Sequence, residues 1–180
     1  PDELYLYFLN MGVYSLNLKT RSITKVIAPM SGEEQIRAMA RDAENRLWIA
    51  EDDLSYWDKN TQKLDRNLST NYNATTRYML TQDILRHEDD MIVGVRTNGL
   101  WIFRHQPENP EHYFKGERTT FEELNDKNIS VLYEDHAKNI WIGTYDNGLY
   151  KCNLEKQEIH HYNKDNGLVH NSICAILEDR

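Results

Sequence analysis

The sequence predicts an all-β protein: a partial β-propeller of about four four-stranded antiparallel blades. The first observation is a repeated strand pattern whose second residue falls at Tyr5, Trp48, Met91 and Trp141. The unit therefore recurs after 43, 43 and 50 residues. The second observation is that each unit contains short apolar runs separated by polar turns. Repeats of roughly 40–50 residues built from four short strands are typical of propeller blades.

The copy at 128–163 shows each element of the unit. Its four predicted strands are 129–133, 140–144, 149–152 and 159–162. Asp135 opens the first turn, where an aspartate can accept backbone hydrogen bonds. The second strand is apolar at consecutive positions, which indicates burial on both faces, and Gly143 would let a neighbouring sheet approach closely. Asn147-Gly148 forms the next turn, and the hairpin turn that this pair favours has positive φ at both residues.

The repeat also defines the organisation of the chain. It gives the end of a blade at 1–27, blades at 34–66 and 128–163, a degenerate blade at 77–114, and the first strand of the next blade at 172–180. The chain is therefore expected to be a segment cut from a longer protein. Unpaired sheet edges and an uncovered blade face pair readily with other chains. We therefore predict self-association through propeller edges, such as a ring completed by two copies.

Composition and charge argue against two classes of function, nucleic-acid binding and membrane binding. The net charge is −8, which argues against binding to nucleic acid or to anionic membranes. The sequence contains no run of 18 apolar residues, so no membrane span is predicted within it. Cys152 and Cys174 fall in predicted strands and are interpreted as small buried hydrophobic residues. A disulfide between them is the alternative.

Catalytic and metal-binding patterns are weak. Paired acids recur at 134–135 and 178–179, and a pair present in several repeats indicates turn capping rather than catalysis. The three acids at 51–53 could bind a cation or a sugar hydroxyl, but the favoured interpretation is a solvated charged loop. His160 and His161 are adjacent on a predicted strand, so their rings point to opposite faces. We predict no catalytic residue, no metal ligand and no cofactor.

Three stretches of the sequence resemble a known family. Residues 128–135, 139–144 and 147–150 resemble the two-component regulator propeller repeat, as do 166–168 and 177–179. The resemblance implies a periplasmic sensor segment of a hybrid two-component system, as in Bacteroides-type bacteria. It further implies an oligosaccharide ligand, a histidine kinase elsewhere in the parent protein, and contact with the membrane only through that parent.

The candidate ligand residues lie in loops that depart from the repeat, because a propeller scaffold holds such loops at fixed positions. They are Arg96, Asn98, Tyr145, Asp146, Asn147 and Tyr72. Trp48 and Trp141 resemble sugar-stacking residues, but their second-strand position predicts blade core. Two other functions remain open: a dimerisation scaffold that binds no small ligand, and a propeller-based polysaccharide lyase or hydrolase.

Overall fold

A computed structural model describes residues 2–28, 35–52, 54–65, 80–106, 108 and 114–179. The chain divides into two compact units, Pro1–Ile36 and Arg37–Arg180. Every regular element of the described residues is a β-strand or a short 3-10 turn, so the all-β prediction is confirmed. In this described part, no helix is long and apolar enough to cross a membrane.

The first unit contains one antiparallel sheet of three strands. The strands are β1 (Glu3–Phe8), β2 (Gly12–Asn17) and β3 (Ile23–Ile27), and the sheet order follows the chain order. We call this the first sheet.

The second unit contains three antiparallel sheets of four strands, each again in chain order. The second sheet comprises β4 (Ala38–Arg41), β5 (Leu47–Ala50), β6 (Leu54–Asp58) and β7 (Lys63–Asp65). The third comprises β8 (Thr81–His87), β9 (Asp90–Val95), β10 (Gly99–His105) and β11 (Phe114–Arg118). The fourth comprises β12 (Ile129–Glu134), β13 (Ile140–Thr144), β14 (Leu149–Asn153) and β15 (Glu158–Tyr162). Consecutive four-stranded meanders of this kind are propeller blades.

Two apolar clusters join the sheets of the second unit. In one, Trp48 of β5 packs against Phe103 of β10, with ring centroids 5.4 Å apart at 83°. In the other, Ile92 and Ile102 of the third sheet are buried together with Ile129 and Ile142 of the fourth. The second and third sheets, and the third and fourth sheets, therefore bury apolar residues against each other, as the consecutive apolar pattern of the second strands predicts.

The glycine at Gly94 sets the distance between two sheets. A Cβ atom added there would lie 2.5 Å from Ile129 Cγ2, a separation that real Cβ atoms do not adopt. One added at Gly143 would lie 2.6 Å from Val131 Cγ1 and 3.0 Å from Ile173 Cβ. The close approach of a neighbouring sheet is therefore observed at Gly94, whereas at Gly143 the close neighbours are Val131 of the same sheet and Ile173 of the segment at 172–179.

The Asn-Gly turns differ from the predicted hairpin geometry. Asn147 does not have positive φ, whereas Gly148 does, at 87°. In the third sheet the positive values belong to Thr97 and Gly99. Both glycines are needed because a Cβ would collide with a backbone carbonyl oxygen, that of Leu124 at Gly99 and that of Tyr162 at Gly148. Their N–H groups donate to Lys127 O and Asn171 O respectively.

Two predicted boundaries also change. The last strand of the third sheet, β11, spans Phe114–Arg118 and so extends beyond the predicted end of the blade at 114. The segment at 172–179 was expected to be a strand, but it is not one. A first strand gains its hydrogen-bond ladder from a second strand, and no described strand pairs with this segment.

The two cysteines have different environments. Cys152 is fully buried in β14, and burial raises the pKa of its thiol to about 12. Cys174 is exposed, and both are free thiols in the structure. The buried-hydrophobe interpretation is therefore right for Cys152 and wrong for Cys174, because 172–179 is not enclosed in a sheet.

Candidate functional site

The candidate loops of the third and fourth sheets meet at one end of the sheets. In an antiparallel meander, the turn between the second and third strands and the connection to the next sheet lie at the same end. Here these segments are the β9–β10 turn, the β13–β14 turn and the connection that enters β12. Their side chains form a group that we call the Arg96–Tyr145 cluster: Gln82, Arg96, Asn128, Tyr145, Asp146 and Asn147.

An arginine–aromatic contact lies at the centre of this cluster. The Arg96 guanidinium carbon lies 5.8 Å from the centroid of the Tyr145 ring, within cation–π range. The Tyr145 hydroxyl donates to Gln82 Oε1 at 3.1 Å. Tyr145 remains 43 % exposed. Three groups from two sheets therefore present an open aromatic surface, a cation and an amide side by side.

Asn128 links the two sheets through both ends of its amide. Its Oδ1 accepts from the Thr97 backbone N–H at 3.1 Å, and its Nδ2 donates to Asp146 Oδ2 at 2.9 Å. Asn147 Nδ2 donates to the other carboxylate oxygen of Asp146 at 2.7 Å. Hydrogen bonds from Asn147 and Asn128 hold the pKa of Asp146 below its usual value. Asp146 is therefore a fixed, charged acceptor at neutral pH.

The structure separates one of the sequence candidates, Asn98, from this cluster. Asn98 is only 7 % exposed, and its Oδ1 accepts from Arg118. Its Nδ2 atom is buried and has no hydrogen-bond partner, so its amide is not presented to solvent. Tyr72 lies outside the described residues.

Sequence reasoning did not single out two members of the cluster, Gln82 and Asn128. Asn128 precedes the first strand of its repeat. Its position in the connection between two sheets could have marked it as a candidate, because such connections lie at the same end as the candidate turns. Gln82 carries no signal in its own repeat, because its role depends on Tyr145, which is 63 residues away along the chain.

The acidic side chains at 51 and 52 bind to other side chains of this protein. Asp52 Oδ1 lies 2.6 Å from the Arg37 guanidinium. Glu51 is 4 % exposed and accepts from the Ser55 hydroxyl at 2.9 Å. Asp53 lies outside the described residues. In the described part of the chain, no group of three or more His, Cys, Asp or Glu side chains could hold a metal ion.

A cavity lined by titratable groups lies at the opposite end of the fourth sheet. It has a volume of about 610 Å³. Two of its carboxylates are paired: Glu134 contacts His87 and Lys138, and Glu178 contacts His136. The cavity is therefore lined in part by ion pairs that join neighbouring elements, and we assign no ligand to it.

The fold defines the class of the protein, a β-propeller segment, and solved structures agree. The chain is similar to the extracellular domain of a putative hybrid two-component system from B. thetaiotaomicron, with a TM-score of 0.66 and 19% identity. The match covers 96% of this chain and 24% of that one. An inactive variant of virginiamycin B lyase from Staphylococcus aureus has a TM-score of 0.64 and 10% identity, with coverage of 94% and 53%. At these identities the likeness establishes the fold.

One stretch of the sequence matches a family model. Residues 123–146 match the family described as "Two component regulator propeller". This stretch includes β12, β13, Asn128 and Tyr145. No curated protein matches the chain. The chain spans about a quarter of the B. thetaiotaomicron extracellular domain.

Proposed function

We propose that this chain is a ligand-sensing propeller segment from the extracytoplasmic, periplasmic region of a hybrid two-component sensor, and that it binds an oligosaccharide at the Arg96–Tyr145 cluster. The segment itself is non-catalytic in this proposal, and a histidine kinase elsewhere in the parent protein carries the signal onward. The repeat at 123–146 supports the sensor assignment. The similar fold of the extracellular domain of a putative hybrid two-component system is consistent with it.

The observation that carries the ligand proposal is the composition of the cluster. Sugars present apolar C–H faces and a rim of hydroxyl groups, so a sugar site combines an aromatic surface with a few fixed polar groups. Tyr145 offers the aromatic surface, while Arg96 and Gln82 offer a donor and an amide beside it. Asp146 adds an acceptor whose position is fixed by two amide donors.

The position of the cluster suits a sensor as well as a binding site. Gln82 and Arg96 belong to the third sheet, whereas Tyr145 and Asp146 belong to the fourth. A ligand that contacts both sets gains affinity only when the two sheets hold their present separation, so binding favours one arrangement of the blades. Ligand binding and blade geometry are therefore coupled.

The second candidate function is a scaffold that transmits a signal through its propeller edges and binds no small molecule. Large exposed side chains in the first sheet favour it, since Leu4 is 44 % and Phe8 42 % exposed. The two functions make different predictions for a binding experiment with this chain.

The test is a calorimetric screen of the chain against defined oligosaccharides. We expect one class to bind, and we expect Arg96→Ala or Tyr145→Ala to weaken binding about 10- to 100-fold, since each removes a charge-assisted hydrogen bond or a stacking surface. Arg86→Ala is the matched control, because Arg86 is an exposed arginine at the opposite end of β8.

Three results separate the candidates. Binding that falls in both cluster variants and not in Arg86→Ala supports the proposed site. Binding that is insensitive to all three variants rules out the cluster as the site. A folded chain that binds no oligosaccharide favours the scaffold.

A further inference from the structure

The described arginines of the second unit differ in what their guanidinium groups contact. Five of them have a carboxylate oxygen between 2.6 and 3.9 Å away: Arg37, Arg46, Arg86, Arg104 and Arg118. Within the described part of the chain, the Arg96 guanidinium has neither a carboxylate partner nor a hydrogen bond, and it contacts the ring of Tyr145 instead. The segment 66–79, which leads into β8, contains no Asp or Glu. The charge of Arg96 is therefore not paired with any described acid.

Tyr145 and the backbone hold Arg96 in an exposed position. The guanidinium carbon lies 5.8 Å from the centroid of the Tyr145 ring, and a cation in such a contact is attracted to the face of the ring. The Arg96 backbone N–H donates to Leu80 O at 2.9 Å. Arg96 is exposed. Its guanidinium N–H groups are therefore held beside the ring and remain available to a ligand.

The acid within the cluster does not pair with Arg96, because neutral amides already bind it. Asp146 Oδ1 accepts from Asn147 at 2.7 Å, and Asp146 Oδ2 accepts from Asn128 at 2.9 Å. Hydrogen bonds from Asn147 and Asn128 lower the pKa of Asp146, and the positive charge of Lys127 lowers it further. Asp146 therefore has its own donors and a neighbouring cation other than Arg96.

A second acid adjoins the cluster and is also bound. Asp83 follows Gln82 on β8, and its two oxygens accept from the backbone N–H groups of Ile84 and Leu132, each at 2.8 Å. The carboxylates of this region are thus bound by N–H groups of the protein. The cation at Arg96, by contrast, is not matched by an oxygen of the described residues.

The chemistry of a guanidinium defines the partner that Arg96 lacks. Its N–H groups form a planar fork, which matches the two coplanar oxygens of a carboxylate. Bidentate, charge-assisted contacts of this kind are about twice as strong as hydrogen bonds between neutral groups. A hydroxyl group of a neutral sugar offers one uncharged acceptor. A uronic acid carries a carboxylate at the rim of a ring whose C–H face is apolar, so a single sugar can contact both Arg96 and Tyr145.

We propose that the Arg96–Tyr145 cluster binds an acidic oligosaccharide and that Arg96 forms a bidentate contact with the carboxylate of a uronic acid residue, an inference that rests on the proposed function. The ring of that sugar packs against the exposed part of Tyr145. Asp146 accepts from a sugar hydroxyl and repels a carboxylate placed beside it, so it directs the acidic group of the ligand to Arg96. The cluster therefore selects acidic over neutral sugars through one arginine.

The first experiment measures the affinity of the chain for matched acidic and neutral ligands by calorimetry. The probes are tetrasaccharides of galacturonic acid and of mannuronic acid, each as the free acid and as the methyl ester. Esterification keeps the sugar and removes the charge. We expect a free acid to bind about 10- to 100-fold more tightly than its ester, because the ester lacks the charge-assisted contact. This preference should decrease as the salt concentration rises.

The second experiment repeats the comparison with variants. Arg96→Gln should weaken binding of the free acid to the level of the ester, and should leave binding of the ester within about twofold of the wild type, because the ester does not make the charged contact. Arg96→Lys should keep part of the preference, since lysine retains the charge without the planar fork. Arg86→Gln is the matched control, because Arg86 is an exposed arginine at the opposite end of β8. Circular dichroism confirms that each variant is folded.

The results distinguish this inference from the proposed function. A preference for the free acid that disappears in Arg96→Gln and persists in Arg86→Gln supports the inference. A preference that persists in Arg96→Gln overturns it, since another group then binds the carboxylate. Tighter binding of a neutral oligosaccharide, weakened by Tyr145→Ala, overturns it and leaves the proposed function in place.

Two further results also overturn the inference. A sulfated galactose tetrasaccharide that binds more tightly than both free acids, with the same dependence on Arg96, assigns the anionic group to sulfate instead of carboxylate. A folded chain that binds no oligosaccharide of any class overturns the proposed function itself, and the acidic specificity with it.

Discussion

Trp48 and Trp141 occupy the same position in two repeats and have different surroundings. Each indole N–H donates to the aspartate at the head of the preceding turn, Trp48 to Asp42 at 2.8 Å and Trp141 to Asp135 at 2.9 Å. Trp48 is completely buried against Phe103 of the third sheet. Trp141 is only partly covered, by Tyr162 with ring centroids 5.9 Å apart and by Lys151 at 5.1 Å.

The comparison separates local from tertiary determinants. The aspartate–tryptophan hydrogen bond forms in both repeats because its two partners lie six residues apart in one hairpin. Burial differs because it depends on whether a further sheet packs on that face. The prediction that both tryptophans form blade core is therefore right for Trp48. It is only partly right for Trp141, whose ring is half-buried.

The largest expected effect is on stability. Trp48→Ala should lower the free energy of unfolding by about 3–5 kcal/mol, because it removes a fully buried ring and leaves a cavity. Trp141→Ala should lower the free energy of unfolding by about 1–2 kcal/mol, because folding removes less apolar surface from water at that site. Urea denaturation of both variants measures the difference. Equal losses would show that Trp141 is as well covered in solution as Trp48.

Replacing Asp42 should destabilise the fold more than replacing Asp135, just as replacing Trp48 should destabilise it more than replacing Trp141. Asp42 accepts from the Arg46 backbone and side chain as well as from Trp48, and its ion pair with Arg46 is almost completely buried. Asp42→Ala should cost about 3 kcal/mol, because it leaves a buried guanidinium with fewer partners.

Asp135 has a neutral residue, Asn139, in place of that arginine. Burial tends to raise the pKa of Asp135, but hydrogen bonds from Asn139 and Trp141 outweigh it and the pKa is lowered. Asp135→Ala should cost about 1–2 kcal/mol, because no buried charge loses its partner. Thermal and urea unfolding of both variants provide the check, and a larger loss at Asp135 would contradict the ranking.

The smallest effect concerns acid stability. Burial tends to raise the pKa of Glu134, but hydrogen bonds from Lys138 and from His87, whose Nδ1 lies 2.6 Å away, lower it below the ordinary value of 4.5. A carboxyl with a lowered pKa stabilises the fold above its unfolded-state pKa, and that contribution is lost as the pH falls through the folded-state value. The free energy of unfolding of the wild type should therefore decrease more steeply below about pH 4.5 than that of Glu134→Gln.

Glu178→Gln is the matched control for this measurement. Glu178 contacts His136 across the corresponding junction, but the His136 side chain is 85% exposed. Solvent-exposed pairs contribute about 0–1 kcal/mol, so this variant should follow the wild-type pH profile. Identical profiles for wild type and Glu134→Gln would show that the His87–Glu134 pair does not contribute.

Much of the candidate site can be anticipated from the repeat, and the rest cannot. The sequence predicts Arg96, Tyr145, Asp146 and Asn147 because they lie in turns whose sequence departs from the repeat. The contact between Arg96 and Tyr145 depends on how two sheets are placed side by side. Asn98 looks equivalent to Asn147 in sequence, yet the packing of Arg118 buries it.

The sequence by itself determined the all-β class, the strand order within each sheet and the aspartate–tryptophan turns, because these depend on residues within one repeat and on alternation and turn chemistry. Only the tertiary structure decided which tryptophan is buried, why 172–179 is not a strand, and which loop residues meet at one end of the sheets. These features depend on contacts between sheets, where one repeat supplies the surface that another repeat covers. A repeated sequence specifies the same local structure in each copy, but each copy has different neighbours.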